Sequence, residues 1–273
     1  MQYGYTYLWM LLIYGFLGWC GEVLVTAVKT KRFVNRGLLN GPICPLYGFV
    51  MISLYGFTVP LAGVTPIVKI LLYVLMAGLF GTALEFVTGA ILNRLYRKKW
   101  WDYAGHRYHL GGYVCLEGFL LWAVIGTVSL LVVQPLAEQL ILLVTGVVIG
   151  RFTVGLYLFL LLLLILLIDF VVTVLELTHI ARKRKAAAEL ETLLGPISDV
   201  SGEELYQKVT ERKEGKPELQ NKLAKYKAVI TSHNAVHNRL LTAFPSLQKE
   251  TVLPKIKTLQ ALYRKLKEHG ELK

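Results

Sequence analysis

Gly15-Phe16-Leu17-Gly18-Trp19-Cys20-Gly21-Glu22 and Gly78-Leu79-Phe80-Gly81-Thr82-Ala83-Leu84-Glu85 share the pattern G-x-x-G-x-x-x-E, offset by 63 residues. Each lies inside a long apolar run, so each carries one carboxyl into a region where water is scarce. Ionisable side chains inside a membrane are rare and costly, and each is by default a candidate functional group. At helical spacing Gly15, Gly18 and Glu22 fall on one face, as do Gly78, Gly81 and Glu85. Small residues let helix backbones approach closely in lipid. The pattern predicts two helices that pack on glycine faces, each with a glutamate beside its stripe.

The surrounding composition sets the class. The chain has 273 residues, 55% of them hydrophobic, and a mean hydropathy of +0.51, too apolar for an ordinary soluble domain. The long apolar runs concentrate in the first two thirds. The fold predicted is all-α: a polytopic transmembrane domain over 1–180 and a cytoplasmic helical tail over 181–273. A span needs about 20 apolar residues, and five are predicted, near 6–28, 43–60, 67–92, 111–133 and 154–178. Gly41-Pro42 suits the start of the second, and Pro60 and Pro66 bracket the turn into the third. Segment 136–153 is apolar but interrupted by Glu138, Gly146, Gly150 and Arg151. It reads as an interfacial or re-entrant helix leading into the fifth span. The start, Met1-Gln2-Tyr3-Gly4-Tyr5, lacks a positive n-region and a cleavage site, so the first apolar segment reads as a retained span.

Charge sets the orientation. Lys29, Lys31, Arg32 and Arg36 fill one loop, Arg94, Arg97, Lys98, Lys99 and Arg107 another, and Arg182-Lys183-Arg184-Lys185 follow the fifth span. The opposite side offers Lys69 and Arg151. The positive-inside rule then places the N-terminus outside and the tail in the cytoplasm of a multi-pass cell-membrane protein. Tyr3, Tyr5, Tyr7 and Trp9 fit an outer aromatic belt, and Trp100, Trp101, Tyr103 and Tyr108 an inner one. Of the net charge of +12, the residues after 178 hold +8. An anionic leaflet attracts such juxtamembrane bases, so the bilayer and its anionic lipids are the expected partners rather than nucleic acid.

The duplication continues beyond the glutamates. Leu39-Asn40-Gly41-Pro42-Ile43-Cys44 resembles Leu110-Gly111-Gly112-Tyr113-Val114-Cys115, with Gly48-Phe49 and Gly118-Phe119 following. Residues of about 8–60 and 71–133 therefore read as two helical hairpins in the same orientation, related by an axis along the membrane normal. Independent packing of small residues is the plain alternative.

At 1.5 Å per residue, Glu22 lies roughly 10 Å, Glu85 roughly 13 Å and Glu117 roughly 8 Å from the basic edge. Asp169 sits deeper. Four candidate carboxyls, Glu22, Glu85, Glu117 and Asp169, thus populate the inner half of the bilayer. Such a layer needs a proton on one group, a cation among them, or a Lys29, Lys31 or Arg94 reaching in. It could form a proton- or cation-coupled transport site, a set of structural salt bridges, or a metal-dependent centre at the inner leaflet. Cys20, Cys44 and Cys115 lie near this layer. An odd number in apolar runs argues against a disulfide framework, and cysteine in a span is ordinarily a packing residue. Asp102, His106 and His109 sit in a basic, aromatic loop suited to ordinary hydrogen bonding. No cofactor or metal motif is evident. There is no G-x-x-x-x-G-K-[ST] phosphate loop, G-x-S-x-G elbow or dinucleotide fingerprint.

The tail reads as helices, with a stop at Gly195-Pro196, a start at Ser201-Gly202-Glu203-Glu204 and a turn at Phe244-Pro245-Ser246. Leu219, Leu223, Tyr226, Ile230, His233 and His237 form one stripe and Leu259, Leu262 and Leu266 another. The two predict a helical hairpin over about 217–269, either packed on itself or offered to a partner. His233 and His237 have a zinc-compatible spacing but read as a solvated face.

The run Phe33-Val34-Asn35-Arg36-Gly37-Leu38-Leu39-Asn40-Gly41-Pro42-Ile43-Cys44-Pro45-Leu46-Tyr47-Gly48 resembles a bacterial membrane-protein family of CmpB-like, type IV ABC-transporter permeases. Trp100-Trp101-Asp102-Tyr103, Gly112-Tyr113-Val114-Cys115-Leu116, Gly18-Trp19 with Glu22, and Glu85-Phe86-Val87-Thr88-Gly89 match further signatures. The resemblance covers about residues 8–180. His109 and Glu117 depart from the pattern. The resemblance implies a bacterial cytoplasmic-membrane transporter component and a separate ATPase subunit, and it assigns no roles to the motif residues. The expected function is a permease that binds a cation or cationic small solute at the acidic layer. The alternatives are a membrane enzyme or lipid-handling protein at the inner leaflet, and a scaffold that recruits a partner through its basic tail. A scarcity of polar residues in the outer halves of the spans counts against simple solute transport. A homo-oligomer stays open.

Overall fold

The computed structural model describes residues 2–61, 63–96, 99–149, 152–194, 201–211, 216–231, 239–240, 243 and 252–270. Four helices are long and apolar enough to cross a membrane, Thr6–Thr30, Pro66–Tyr96, Leu116–Gly146 and Val154–Thr192, and Pro45–Thr58 is a shorter apolar helix. The chain divides into two compact units, Met1–Thr173 and Val174–Lys273.

The first unit opens with α1 (Gln2–Thr30), which ends where Lys29 and Lys31 begin the basic loop. The chain then turns back along α1 without regular structure. The Cys44 N–H donates to the Gly15 carbonyl at 2.8 Å. Gly15 lies fifteen residues before Thr30, about 22 Å along the axis at 1.5 Å per residue. Residues 31–44 therefore re-enter beside the second half of α1, and α2 (Pro45–Thr58) starts level with its middle. The second span expected over 43–60 is corrected to this 14-residue helix, capped by a 3₁₀ turn at Val59–Leu61. Extended loop replaces the missing helical turns.

Helix α3 (Pro66–Tyr96) has Pro66 at its first position, where a missing N–H costs nothing. Residues 109–115 form a small antiparallel hairpin, β1 (His109–Leu110) against β2 (Val114–Cys115). Its turn uses Gly111 and Gly112 at φ of 60° and 75°, a region that glycine enters without steric penalty. Cys115 then caps α4 (Leu116–Val128), its Sγ accepting from the Gly118 N–H at 3.4 Å. Residues 111–115 belong to this hairpin, so the fourth helix starts at Leu116 instead of 111.

Segment 136–146 is no separate interfacial helix. α4, a π-helical turn at Ser129–Val133 and α5 (Gln134–Gly146) form one uninterrupted helix. Pro135 explains the π turn. It lacks an N–H, and its ring clashes with the carbonyl of Leu131 in a regular helix. Widening the preceding turn relieves that clash and lets the helix run on. The turn before the next helix pairs β3 (Val148–Ile149) with β4 (Phe152–Thr153). Helix α6 (Val154–Leu194) follows.

Apolar side chains such as Leu24, Ile67, Leu143 and Leu161 line the outside, as lipid-facing positions should. Inside, Met10, Tyr14, Met51, Leu54, Ala77 and Leu130 join α1, α2, α3 and the π turn. Trp9, Leu12, Ile141 and Phe159 join α1, α5 and α6. Several aromatics expected in interfacial belts turn inward instead: Trp9 and Trp100 are 7% and 4% exposed.

The second unit has its own core. Ala186, Ala187 and Leu190 of α6 meet Leu205 and Val209 of α7 (Gly202–Glu211), Leu219, Leu223 and Tyr226 of α8 (Lys216–Thr231), and Leu259, Leu262 and Leu266 of α9 (Val252–Glu268). The Ser201 hydroxyl accepts the Glu204 N–H at 3.2 Å, the cap anticipated there. Among the described residues the two leucine stripes meet in one core that α6 and α7 share. Gly195-Pro196, His233, His237 and Phe244-Pro245-Ser246 lie outside the described residues, as does the Ile230 side chain.

Candidate functional site

The glycine faces bring aromatic donors onto the two glutamates. A Cβ on Gly18 would lie 2.2 Å from Cγ of Tyr47, and a Cβ on Gly81 would lie 2.3 Å from Cγ of Trp122. Only glycine admits rings this close to a helix backbone. The closeness lets each ring reach one turn further. The Tyr47 hydroxyl donates to Glu22 Oε1 at 2.8 Å, and the Trp122 Nε1–H donates to Glu85 Oε2 at 3.0 Å. Gly15 and Gly78 extend the two stripes against Ile43 and Phe119.

The two rings also touch one another. The centroids of Tyr47 and Trp122 are 4.9 Å apart with planes inclined at 44°. A continuous path therefore runs from Glu22 through Tyr47 and Trp122 to Glu85. The second loop adds a third donor: the Tyr103 hydroxyl reaches Glu85 Oε1 at 2.9 Å. Burial first, and then the Glu85 carboxylate, hold the Tyr103 phenol far above its ordinary titration range, so it remains a donor. Glu85 is 9% exposed and Glu22 is partly buried. Among the described residues no Lys or Arg forms an ion pair with either. The sequence does not mark Tyr47 and Trp122 as site residues, because aromatic side chains in apolar runs carry no local sign of donating to an acid.

Asp169 occupies a different place. Its Oδ1 accepts the Asn40 N–H at 3.0 Å and the Asn40 Nδ2–H at 2.8 Å, and its Oδ2 accepts the Gly41 N–H at 2.7 Å. Asn40 Nδ2 also donates to Thr173 Oγ1 at 3.1 Å. Non-helical backbone at membrane depth is tolerated only where its polar groups find partners inside the protein. Asp169 supplies those partners from α6. Asn35 braces the same loop. Its Oδ1 accepts from Trp19 Nε1 at 2.7 Å and from the Gly37 N–H at 2.9 Å, and its Nδ2 donates to the Asn40 carbonyl at 2.8 Å. Gly41 faces Asp169 where a Cβ would lie 3.1 Å from Oδ2. Arg36 is partly buried and Pro42 exposed.

The second loop is braced in a similar manner. Trp101 Nε1 donates to the Tyr113 carbonyl at 2.8 Å, and the Asn93 amide donates to the Tyr113 hydroxyl at 2.7 Å. Asp102 Oδ1 accepts the Ala104 N–H at 3.0 Å, and the Tyr103 N–H donates to the Gly112 carbonyl at 2.9 Å. A Cβ on Gly112 would meet Asp102 Oδ1 at 2.4 Å.

Glu117 does not join the pair. It is exposed, and its Oε2 lies 2.7 Å from His106 Nδ1 in the loop. Among the described residues no three His, Cys, Asp or Glu side chains gather as a metal site. Cys20, Cys44 and Cys115 are free thiols.

A second polar cluster lies elsewhere. Tyr55 OH and Gln134 Nε2 both donate to Glu138 Oε1, at 2.9 and 3.0 Å, and Tyr14 OH donates to Gln134 Oε1 at 2.9 Å. The sequence carries a signal for it in Gln134-Pro135-Leu136-Ala137-Glu138, two polar groups one helical turn apart inside an apolar run.

Residues 9–174 match the model of the family described as "Putative ABC-transporter type IV", well over half of the chain. The chain belongs to that family. Together with the four membrane-length apolar helices, membership makes it a multi-pass membrane protein of a transporter family. The family region nearly coincides with the first unit, so the glutamate pair, both braced loops and Asp169 all fall within it. No curated protein and no solved structure matches the chain.

Proposed function

We propose that the first unit is a permease-type transporter component in which Glu22 and Glu85 bind a cation, either a proton or a cationic small solute, from the cytoplasmic side. The observation that carries this reading is the contact between Tyr47 and Trp122, which joins two acids on separate helices into one site. Among the described residues every donor to those acids is neutral: two phenols and an indole. Two partly or fully buried carboxylates linked through touching rings, with no Lys or Arg among the described residues paired to them, favour a bound positive charge. Neutral donors orient the oxygens without competing for that charge.

On the same reading the two hairpins are copies, since G-x-x-G-x-x-x-E places a ring-bearing helix against each glycine face. On this reading the basic loops face the cytoplasm by the positive-inside rule, and the pair lies nearer that side. The family implies a separate ATPase subunit, because this sequence has no phosphate-binding loop of its own.

The test is a thermal-shift screen of the purified full chain against monovalent cations, divalent cations, cationic solutes and lipids, with Glu22→Gln and Glu85→Gln alongside. A ligand that raises Tm in the parent protein and has no effect on either variant supports the site. If both variants respond to every ligand as the parent does, the paired glutamates bind nothing.

A further inference from the structure

The Glu138 cluster stands apart from the Glu22–Glu85 pair. Along the continuous fourth helix, Gln134 follows Trp122 by twelve residues, about 18 Å at the helical rise. An apolar layer fills the interval. Leu54 and Ala77 are fully buried, and Met51 and Leu130 pack with them. A Cβ on Gly126 would lie 2.7 Å from the Ala77 Cβ. The two acidic clusters are thus separated by close-packed, largely apolar side chains, and the hydroxyl of buried Thr127 in this interval is spent on the Ala123 carbonyl of its own helix.

Within the cluster the donors run one way. Tyr14 donates to Gln134, and Gln134 and Tyr55 donate to Glu138 Oε1. Glu138 Oε2 receives no hydrogen bond from the described residues. The groups facing Glu138 are Tyr14 of α1, Tyr55 of α2 with Tyr7 packed on it, and Gln134 of its own helix. None carries a formal charge. The π turn is a second, independent feature. Ser129 O accepts the Gln134 N–H of the widened turn and lies 3.4 Å from the Tyr14 oxygen, whose one proton goes to Gln134. π turns recur at functional positions in helices, and this one aims Gln134 at Tyr14.

We propose that Glu138 is a second proton-binding station of the membrane unit, on the far side of the apolar layer from Glu22 and Glu85. A hydronium ion transfers its proton to Oε2 and leaves water, while Tyr55 and Gln134 keep their hydrogen bonds to Oε1. The unit then holds one acidic station on each side of a dry middle layer, as a protein that passes a cation across a membrane in two steps requires. The station itself rests on the cluster geometry. Its place in a route rests on the transport reading above.

The test uses the full chain in lipid nanodiscs and the hydrophobic reagent dicyclohexylcarbodiimide. A protonated carboxyl in an apolar setting gives its proton to a carbodiimide nitrogen, its oxygen bonds to the central carbon, and the adduct rearranges to a stable N-acylurea. Peptide mass mapping across a pH series reads each acid separately. Glu138 is expected to be modified, with a yield that falls as the pH is raised, since the protonated form is the one that reacts. In Glu85→Gln the Glu138 profile stays where it was, as the apolar layer demands. Absence of a Glu138 adduct at every pH, or a yield flat with pH, overturns the station. A Glu138 profile that moves with Glu85→Gln overturns the separation into two. Because Glu22 and Glu85 fall on other peptides, failure of the first site leaves its own signature.

Discussion

Replacing Asp169 by alanine should release the loop over 31–44 from its slot without unfolding the unit. The carboxylate receives three N–H donors from Asn40 and Gly41. A hydrogen bond to a charged group contributes about 1.5–3 kcal/mol, and a buried donor left unpaired costs about 1–3 kcal/mol. Three such donors set an upper range of roughly 3–9 kcal/mol. Removing Asp169 also removes the cost of holding a charge at that depth, so the low end, about 3 kcal/mol, is the working figure. The loop keeps its contacts from Asn35 to Trp19 and from Cys44 to Gly15, which makes the opening local rather than global. Cys44 sits at the end of this loop as a partly buried free thiol. An opening favoured by 3 kcal/mol raises its exposed population about 100-fold. N-ethylmaleimide modification, followed on the Cys44 peptide by mass spectrometry, should quicken by that order in Asp169→Ala. Asp169→Asn keeps one acceptor but turns an NH₂ toward a backbone N–H, so it should fall between the parent and alanine. If both variants leave the Cys44 rate unchanged, the carboxylate does not hold the loop.

Gly81→Ala forces its Cβ against Trp122 and should displace the indole from Glu85; a lowered Tm with loss of the indole's blue-shifted fluorescence checks this, and an unchanged spectrum refutes it. Trp122→Phe and Tyr103→Phe each remove one donor to Glu85, worth about 1–3 kcal/mol. Their double-mutant cycle in thermal unfolding should show coupling, because both act on one carboxylate. Glu117→Gln should change stability by less than about 1 kcal/mol, as expected of an exposed pair, and Tm should scarcely move. Since the folded phenol of Tyr103 titrates above the unfolded one, its contribution is complete below the ordinary phenol pKa of about 10 and is lost only at higher pH. An alkaline absorbance titration of folded protein should therefore give the same phenolate signal for Tyr103→Phe as for the parent.

Much of this could be read from local pattern. The apolar runs gave a membrane protein because only helices and closed barrels satisfy the backbone in lipid. The glycine spacing marked Gly18 and Gly81 as positions of close approach, and both face rings. Other readings failed because they assumed each element acts alone. Asp169 read as a member of an acidic layer, yet its oxygens are taken up by a loop some 130 residues earlier in the chain. Glu117 read as buried by counting residues from a helix end, but the hairpin before it delays the helix start and leaves it beside His106. Segment 136–153 reads as a separate interfacial or re-entrant helix, but a π turn joins 134–146 to the helix before it.

The sequence by itself determined the membrane class, the family region and the two acids beside glycine stripes, because these depend on periodicity and residue size along one helix. The tertiary structure alone decided which partners the acids meet. Tyr47 and Trp122 become donors only when their helices pack on those glycines, and each loop is tied down only when Asp169 or Tyr113 meets its donors. Hydrogen bonds between distant segments have no period in the sequence. They exist where packing brings donor and acceptor within 3 Å or so of each other and excludes the water that would otherwise replace either one.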